Sequence, residues 1–419
     1  MNKVFPILIL ALSVQTQAQS TLDFSQAFNL AKQKSEKIII QNIKTSIAET
    51  AVDKNRSGYM PKLSAFFGYT QIDTDQLAPA TNVNPQESSR LNVTQNLYAG
   101  GQTYYKTQSS KNLLESEKSN LKMSYIDTYS DTATSYYSIL QTEQDIKDMR
   151  LQLDLTNKRT KELTSRTKIG RSRQSEVLSN QSQSYLLQTQ IQASELKLIQ
   201  LRRKFSLLTG AATAIVLTDD VDNIVKELKP ITYYKKQSAE RPDLAAINLQ
   251  IQSYENLYKA QKGMYWPSLD LSANYYLKDR TGALADSKWD VGVNLTIPLF
   301  EGGSTHASVS EAYLKKQQAE YEKSQFLKDT DSDIDLNYAE VQSSIEQLEL
   351  LDQSLKLSEK NYFSQQKDYG LGVTSNLEVL QSLNTYLETK RNFDRLKYQL
   401  KISYLKLEAL TTLNPQITK

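Results

Sequence analysis

The chain has 419 residues, 39% hydrophobic and 23% charged, and its 50 Lys and Arg against 47 Asp and Glu leave a net charge of +3, too balanced to announce a nucleic-acid partner. With no cysteine and one histidine, His306, it lacks the side chains for disulfide frameworks, thiolate zinc sites or iron–sulfur clusters, and a Ser–His–Asp hydrolase is a poor fit. No run after the first twenty residues approaches the ~20 apolar residues of a membrane-spanning helix, and 13 glycines and 9 prolines in so long a chain point to a few very long helices.

In chain order, residues 1–18 read as an export signal. Lys3 precedes the apolar run Val4–Val14, and Thr16 and Ala18 stand at −3 and −1 of a cut after Ala18. A polar helical stretch from about Ile38 to Gly58 ends at Tyr59-Met60-Pro61-Lys62-Leu63, where proline biases the preceding residue toward extended backbone. Two strands are expected over about 62–98. Leu63, Ala65, Phe67 and Tyr69 share one face of the first, with Phe66 on the other. In the second, Leu91, Val93 and Leu97 alternate with Asn92, Thr94 and Asn96, Gln95 being the polar intruder. Such segments fit strands half-buried against a core, and equally strands of an outer-membrane barrel. The segment Gln76–Gln86 reads as the hairpin loop between them.

Leu97-Tyr98-Ala99-Gly100-Gly101 then breaks the chain, and Gln102–Thr167 follows without a Gly or Pro. Those 66 residues would make a helix of about 99 Å. After a turn at Gly170, Ser172–Leu208 returns. Ile146, Met149, Leu153, Thr156, Thr160 and Leu163 step by 3 and 4, as do Leu187, Ile191, Ser194, Leu198, Leu201, Phe205 and Leu208, which marks a coiled-coil seam. Residues 211–238 form a linker or equatorial segment.

The second half repeats this plan. A helix over about Glu240–Gly263 leads to Tyr265-Trp266-Pro267-Ser268-Leu269 and to strands over about 268–300, with a loop at Thr281–Ser287. Trp289, Val291, Val293, Leu295, Ile297 and Leu299 alternate with Asp290, Gly292, Asn294, Thr296 and Pro298. Leu299-Phe300-Glu301-Gly302-Gly303 precedes a long hairpin over 303–411, turning at Gly372, and 414–419 is a tail. Tyr59 recurs 206 residues on as Tyr265; Leu97 recurs 202 on as Leu299; and Gly170 with Glu176-Val177-Leu178 recurs 202 on as Gly372 with Glu378-Val379-Leu380. Three matches in one order at nearly one offset mean duplication. The repeats are 19–210, with its hairpin at 102–209, and 239–413. Each long helix nearly equals the summed length of the two shorter helices of its half, which suggests a rod about 100 Å long.

A sheet of four such strands cannot span a membrane alone, because its edges would leave backbone groups unpaired in hydrocarbon. It must close by joining copies, giving a strand number that is a multiple of four. On these motifs the chain resembles the TolC family of outer-membrane efflux proteins, over essentially its whole mature length. The resemblance implies a mainly α protein with a membrane β-barrel: a homotrimer whose 12-stranded barrel continues as an α-helical periplasmic tunnel. It implies passive conduction with no catalytic residue and no cofactor, in the outer membrane, with a periplasmic adaptor and an inner-membrane transporter of the RND or ABC type as partners.

The family's site residues carry over position by position. The turns Ile169-Gly170-Arg171 and Leu371-Gly372-Val373 correspond to adaptor-docking tips. Of two acidic gate residues three apart, the first maps to Glu378 and the second to Gln381, which is neutral, so one ring of charge is expected where the family has two. Carboxylates converging on an axis should titrate above their ordinary value. A latch between the turns maps to Tyr369 and Glu176; Thr374 stands in place of its arginine, and Arg173 is a candidate substitute. Tyr59, Tyr98, Tyr265, Trp266 and Phe300 lie at strand ends, where an aromatic girdle belongs. His306 reads as a surface residue near a helix start. Outside this class, a secreted coiled-coil adhesin would share the heptads but lack the strands. A periplasmic adaptor would carry one hairpin, and an enzyme would need a polar constellation that the sequence does not offer.

Overall fold

The computed structural model describes residues 21–70, 86–219, 228–277 and 287–411. The export signal, the loops at 76–86 and 281–287 (apart from their last residues), part of the 211–238 segment and the tail lie outside them. The chain divides into two compact units. One holds residues up to 35, 127–231 and 335–409; the other holds 36–126, 232–334 and the residues from 410 on. Two 67-residue helices, α3 (Gln102–Lys168) and α7 (Ser304–Gly370), contribute to both.

The second of these units carries the sheet, in the order β2-β3-β5-β6, all antiparallel. Its strands are β2 (Lys62–Thr70), β3 (Gln86–Ala99), β5 (Ser268–Tyr276) and β6 (Trp289–Thr296). Helices α2 (Glu36–Arg56) and α6 (Pro242–Lys262) feed β2 and β5 through one 3-10 turn each, Ser57–Tyr59 and Gly263–Tyr265. The two hairpins share one register. Moving β2 by 206 residues and β3 by 202 turns the pair Leu63/Val93 into Leu269/Leu295, and Ser64/Asn92 into Asp270/Asn294.

Because strand side chains alternate between faces, this register sorts the sheet into an apolar and a polar surface. Leu63, Val93, Ala273 and Val291 lie in one row across all four strands, with Ala65, Leu91, Tyr275 and Trp289 in the next. The other face is hydrogen-bonded: Asn92 Nδ2 donates to Asn274 Oδ1 (2.9 Å) and Asn274 Nδ2 to Asp290 Oδ1 (2.9 Å). Tyr276 donates to Asp290 Oδ2 (2.8 Å) and Asn96 Nδ2 to Asp270 Oδ1 (2.8 Å). The apolar face stays open. Val93 on an inner strand is 37% exposed, while Phe67 on edge strand β2 reaches 74%.

The other unit is a helical core. Here α1 (Phe24–Lys34), α4 (Gln174–Thr209) and α8 (Asn376–Thr411) pack with the distal parts of α3 and α7. The heptad seams pack inward: Ile146, Met149 and Ile191 are buried together, with Leu153 and Leu198 against them. Helix α1 follows a capping box, in which Gln26 N–H donates to Asp23 Oδ1 (2.7 Å) and Asp23 N–H to Gln26 Oε1 (3.2 Å). It brings Phe24 and Phe28 edge-on to the buried Tyr129, with Phe24 also against Tyr136 and Tyr137. The Tyr136 hydroxyl sits 2.9 Å from Leu22 O and 2.7 Å from Thr218 O, beside a short parallel pair of β1 (Thr21–Leu22) and β4 (Val216–Leu217). Arg202 reaches Thr213 O (2.7 Å), Ile215 O (2.9 Å) and Glu143 (2.5 Å), pinning the start of the linker. The linker also contains a short helix, α5 (Ile231–Ser238), which from Thr232 on belongs to the sheet-bearing unit.

Candidate functional site

Two surfaces stand out: the open sheet and the pair of helical turns. Both turns close by the same hydrogen-bond pattern. Gly170 N–H donates to Thr167 O (3.0 Å) and Arg171 N–H to Arg166 O (2.8 Å); Gly372 N–H donates to Tyr369 O (3.1 Å) and Val373 N–H to Asp368 O (3.0 Å). This is the Schellman closure, and it requires the positive φ that Gly170 (+73°) and Gly372 (+77°) adopt. Nothing lies within 4 Å of where a Cβ would sit on either glycine. Their neighbours Ile169, Leu371 and Val373 are largely exposed apolar side chains, and Arg171 is exposed as well.

Just past each turn, a glutamate in the first turn of the next helix accepts a hydroxyl hydrogen bond. Ser172 donates its hydroxyl to Glu176 Oε2, and Thr374 donates to Glu378 Oε2, the same contact 202 residues apart. Ser375 adds its backbone N–H to Glu378 Oε2 (2.8 Å) and its hydroxyl (3.1 Å). Thr374, then the two Ser375 donors, hold the Glu378 carboxyl below its ordinary value. Within one chain the carboxylate is a satisfied helix cap, with the donors of its own turn in place of a cation; the expected upward shift concerns three copies meeting at one axis. Gln381, one helical turn on, is exposed.

The expected latch takes a different form. Tyr369 lies under two guanidinium groups of α3, with Arg159 Cζ 3.9 Å and Arg166 Cζ 4.5 Å from its ring centroid. Arg159 Nε also donates to Asn376 Oδ1 at the start of α8 (2.7 Å), and its Nη1 pairs with Glu162 (2.6 Å). The cation on Tyr369 therefore comes from α3, and Arg173 instead occupies the N-cap position of α4 without a side-chain capping bond. Glu176, engaged by Ser172, shares with Arg173, Ser375 and Asn376 an open groove of about 450 Å³ between the starts of α4 and α8. Sequence reasoning missed Arg159 and Arg166. Their seven-residue spacing at the end of α3 was the available signal.

A second set of charges ties α3 to α8. Arg391 Nε and Arg395 Nη2 donate to the two oxygens of Asp145 (2.9 and 2.8 Å), and Lys390 Nζ donates to Asp148 Oδ1 (2.6 Å) and Asp394 Oδ2 (2.8 Å). Burial pushes Asp145 up, but its two arginines outweigh it and hold the carboxyl low. At Asp148 burial prevails over the Lys390 hydrogen bond, and the pKa is raised. Among the described residues, no group of three or more His, Cys, Asp or Glu side chains is placed to hold a metal ion, and no helix is long and apolar enough to cross a membrane.

A duplicated sheet-and-long-hairpin chain with a two-faced sheet defines an outer-membrane-channel fold, and comparison bears this out. The structure of the outer membrane protein VceC from Vibrio cholerae superposes with a TM-score of 0.79 at 15% identity, over 93% of this chain and 96% of that one. The outer membrane protein TolC of Vibrio cholerae is 21% identical over 99% of this chain and 97% of its own. The alkaline protease secretion protein AprF of Pseudomonas aeruginosa is 21% identical over 44% of this chain and 40% of its own. The family described as outer membrane efflux protein matches residues 233–412. The chain is similar to that family over this stretch, less than half of its length, and its TolC and AprF relatives support an outer-membrane exit duct.

Proposed function

We propose that three copies close their sheets into one 12-stranded outer-membrane barrel, continued by a helical tunnel, as the passive exit duct of a tripartite efflux or type I secretion system. The observation that carries this reading is the four-stranded sheet with one open apolar face, one hydrogen-bonded polar face and two unpaired edges. In hydrocarbon each unpaired backbone group costs several kcal/mol. The antiparallel order offers a remedy, because β6 of one copy and β2 of the next run in opposite directions. The apolar face then meets lipid, and the amide and carboxylate ladder lines a wet lumen.

The repeats adopted here, 19–210 and 239–413, each supply one hairpin of the sheet and one helical hairpin. A periplasmic adaptor and an inner-membrane transporter of the RND or ABC type are the partners the duct requires, and the transporter supplies the energy. Exposed Ile169, Leu371 and Val373, set around open turns at Gly170 and Gly372, support adaptor docking there, with Arg171 offering a charge. Glu378 supplies the single acidic ring of the gate, with Gln381 neutral behind it. The test is extraction from outer membranes with detergent, followed by planar-bilayer recording. SDS-resistant trimers with discrete conductance are expected, and monomers without conductance refute the reading.

A further inference from the structure

The polar face of the sheet is not uniform along the strands. Its middle is amide and carboxylate, as in the row Asn92–Asn274–Asp290. Two residues nearer the hairpin loops, on the same face, the chemistry changes. Phe66 on β2 stands opposite Arg90 on β3, and Arg90 opposite Tyr276 on β5. Tyr276 N–H donates to Lys288 O (2.9 Å), which puts Lys288, the residue before β6, fourth in the row. Aromatic ring and cation thus alternate across the sheet. On this face it is the outermost row whose four residues are all described.

The local packing keeps these groups open. Arg90 Cζ lies 5.0 Å from the centroid of the Phe66 ring, a cation–π contact. The ring has room beside it because the next position on its face of β2 is Gly68, where a Cβ would sit 3.1 Å from Phe66 Cε1. Phe66 stays 49% exposed, and Arg90 and Lys288 are exposed as well. Tyr276 is fixed from the row below, its hydroxyl donating to Asp290 Oδ2 (2.8 Å), while Asp290 Oδ1 accepts the Asn274 amide (2.9 Å). The nearest acid on this face is therefore engaged by tyrosine and amide. Among the described residues, neither Arg90 nor Lys288 has a carboxylate partner.

We propose that the row Phe66–Arg90–Tyr276–Lys288 binds small aromatic anions, aryl carboxylates or sulfonates, as they leave the duct. The aryl ring stacks on Phe66 or Tyr276, and its anionic group lies between Arg90 and Lys288. The proposal rests on the polar face being the lumen, and it adds a ligand class to that face. An alkyl anion satisfies the cations but leaves the rings bare. An aromatic cation stacks but is repelled by Arg90 and Lys288. Only the combination of ring and negative charge uses the whole row, so the row selects by both. The amide and carboxylate rows farther in offer neither open rings nor unpaired cations, which confines the site to the loop end of the sheet.

Equilibrium dialysis of the purified full-length chain in nonionic detergent tests this, with naphthalenesulfonate as probe and methanesulfonate and naphthylmethylammonium as controls. Planar-bilayer recording of the same preparation reads block of the current. The wild-type chain should bind naphthalenesulfonate about tenfold more tightly than either control, and more weakly as salt is raised. Arg90→Gln with Lys288→Gln, which changes only exposed side chains, should weaken binding about tenfold and abolish its salt dependence. Phe66→Ala should weaken binding but keep the salt dependence; Tyr276→Phe, which retains a ring, should leave binding nearly intact. Should the double variant not assemble, each single charge variant gives the same readout. Equal affinity for the three probes, or unchanged binding after loss of both cations, overturns the proposal. A chain that conducts but is neither bound nor blocked refutes the site and leaves the duct. One that binds through Arg90 and Lys288 without conducting refutes the duct and leaves the site.

Discussion

Replacing Lys390 by Met should loosen α8 from α3 in a way that acid repairs. Lys390 is the cation between Asp148 and Asp394, and the Asp148 side chain is only 4% exposed. Among the described residues, the variant leaves these two neighbouring carboxylates the Gln144 amide, 3.2 Å from each Asp148 oxygen and 3.5 Å from Asp394 Oδ2. Removing one partner of a buried pair costs about 3–5 kcal/mol. The stranded acid has an escape, because it can bind a proton at about 1.4 kcal/mol for each pH unit between its pKa and the solvent. From an unfolded value near 3.9, that caps the loss at about 4 kcal/mol at pH 7, and we expect about 3 kcal/mol.

The sign follows from linkage. Burial already raises Asp148, and losing Lys390 raises it further, so the folded variant holds its proton more tightly than the unfolded chain. That contribution is fully present below the unfolded pKa and is lost as pH rises toward the raised folded pKa. Hydrogen exchange of α8 amides from Leu387 to Tyr398, read as a variant-to-wild-type ratio at equal pH, should show opening on the order of 100-fold faster at pH 7. At pH 5 the ratio should drop below about tenfold. Wild-type protection at pH 7, or a ratio that grows on acidification, refutes the argument.

On the sheet, Val293→Arg should cost about 2–4 kcal/mol per chain if it faces lipid at mid-membrane, and Asn294→Arg far less; trimer resistance to urea compares them. Gly372→Val or Gly170→Val meets no neighbour, but both sites keep a positive φ that valine resists. Either variant should lose transport while trimers persist in detergent, and normal export by both excludes docking at the turns. Glu378→Gln should lose most cation selectivity in planar bilayers, and Gln381→Glu should increase it.

Periodicity made the long elements legible. The alternation Val291, Val293, Leu295 needs only local sequence to declare a face, and an uninterrupted run such as Gln102–Thr167 leaves helix as the simplest reading. Self-similarity did more, because it related β2 to β5 and β3 to β6 before any coordinates. What stayed hidden depends on distance in sequence. Helix α1 is short, and its place comes from Phe24 and Phe28 meeting Tyr129 and Tyr136 more than 100 residues away. The Arg159–Tyr369 stack joins positions whose copies, Asn361 and Thr167, have no such chemistry, so duplication offered no hint of it. Glu378 was recognisable as a lone carboxylate, but its capping role depends on Ser375 N–H, and a backbone donor leaves no mark in a list of side chains.

The same comparison of copies says where a widening duct would yield. Within one chain, Asp145 and Asp148 on α3 face Lys390, Arg391 and Arg395 on α8. The corresponding residues are Gln347 and Leu350 on α7, and Gln188, Thr189 and Ala193 on α4, with no charge among them. If copies join β6 to β2 as proposed, α7 of one and α4 of the next form the duplicated version of the α3–α8 interface. Breaking a buried ion pair costs about 3–5 kcal/mol, whereas a neutral hydrogen bond contributes about 0.5–1.5 kcal/mol. Separation should therefore begin between copies and leave α3–α8 closed. Gln347→Asp with Thr189→Arg would install the Asp145–Arg391 pair at that joint. We expect the double variant to assemble normally but export more slowly, with rescue when either charge is removed. Unchanged export would show that the duct conducts without parting there.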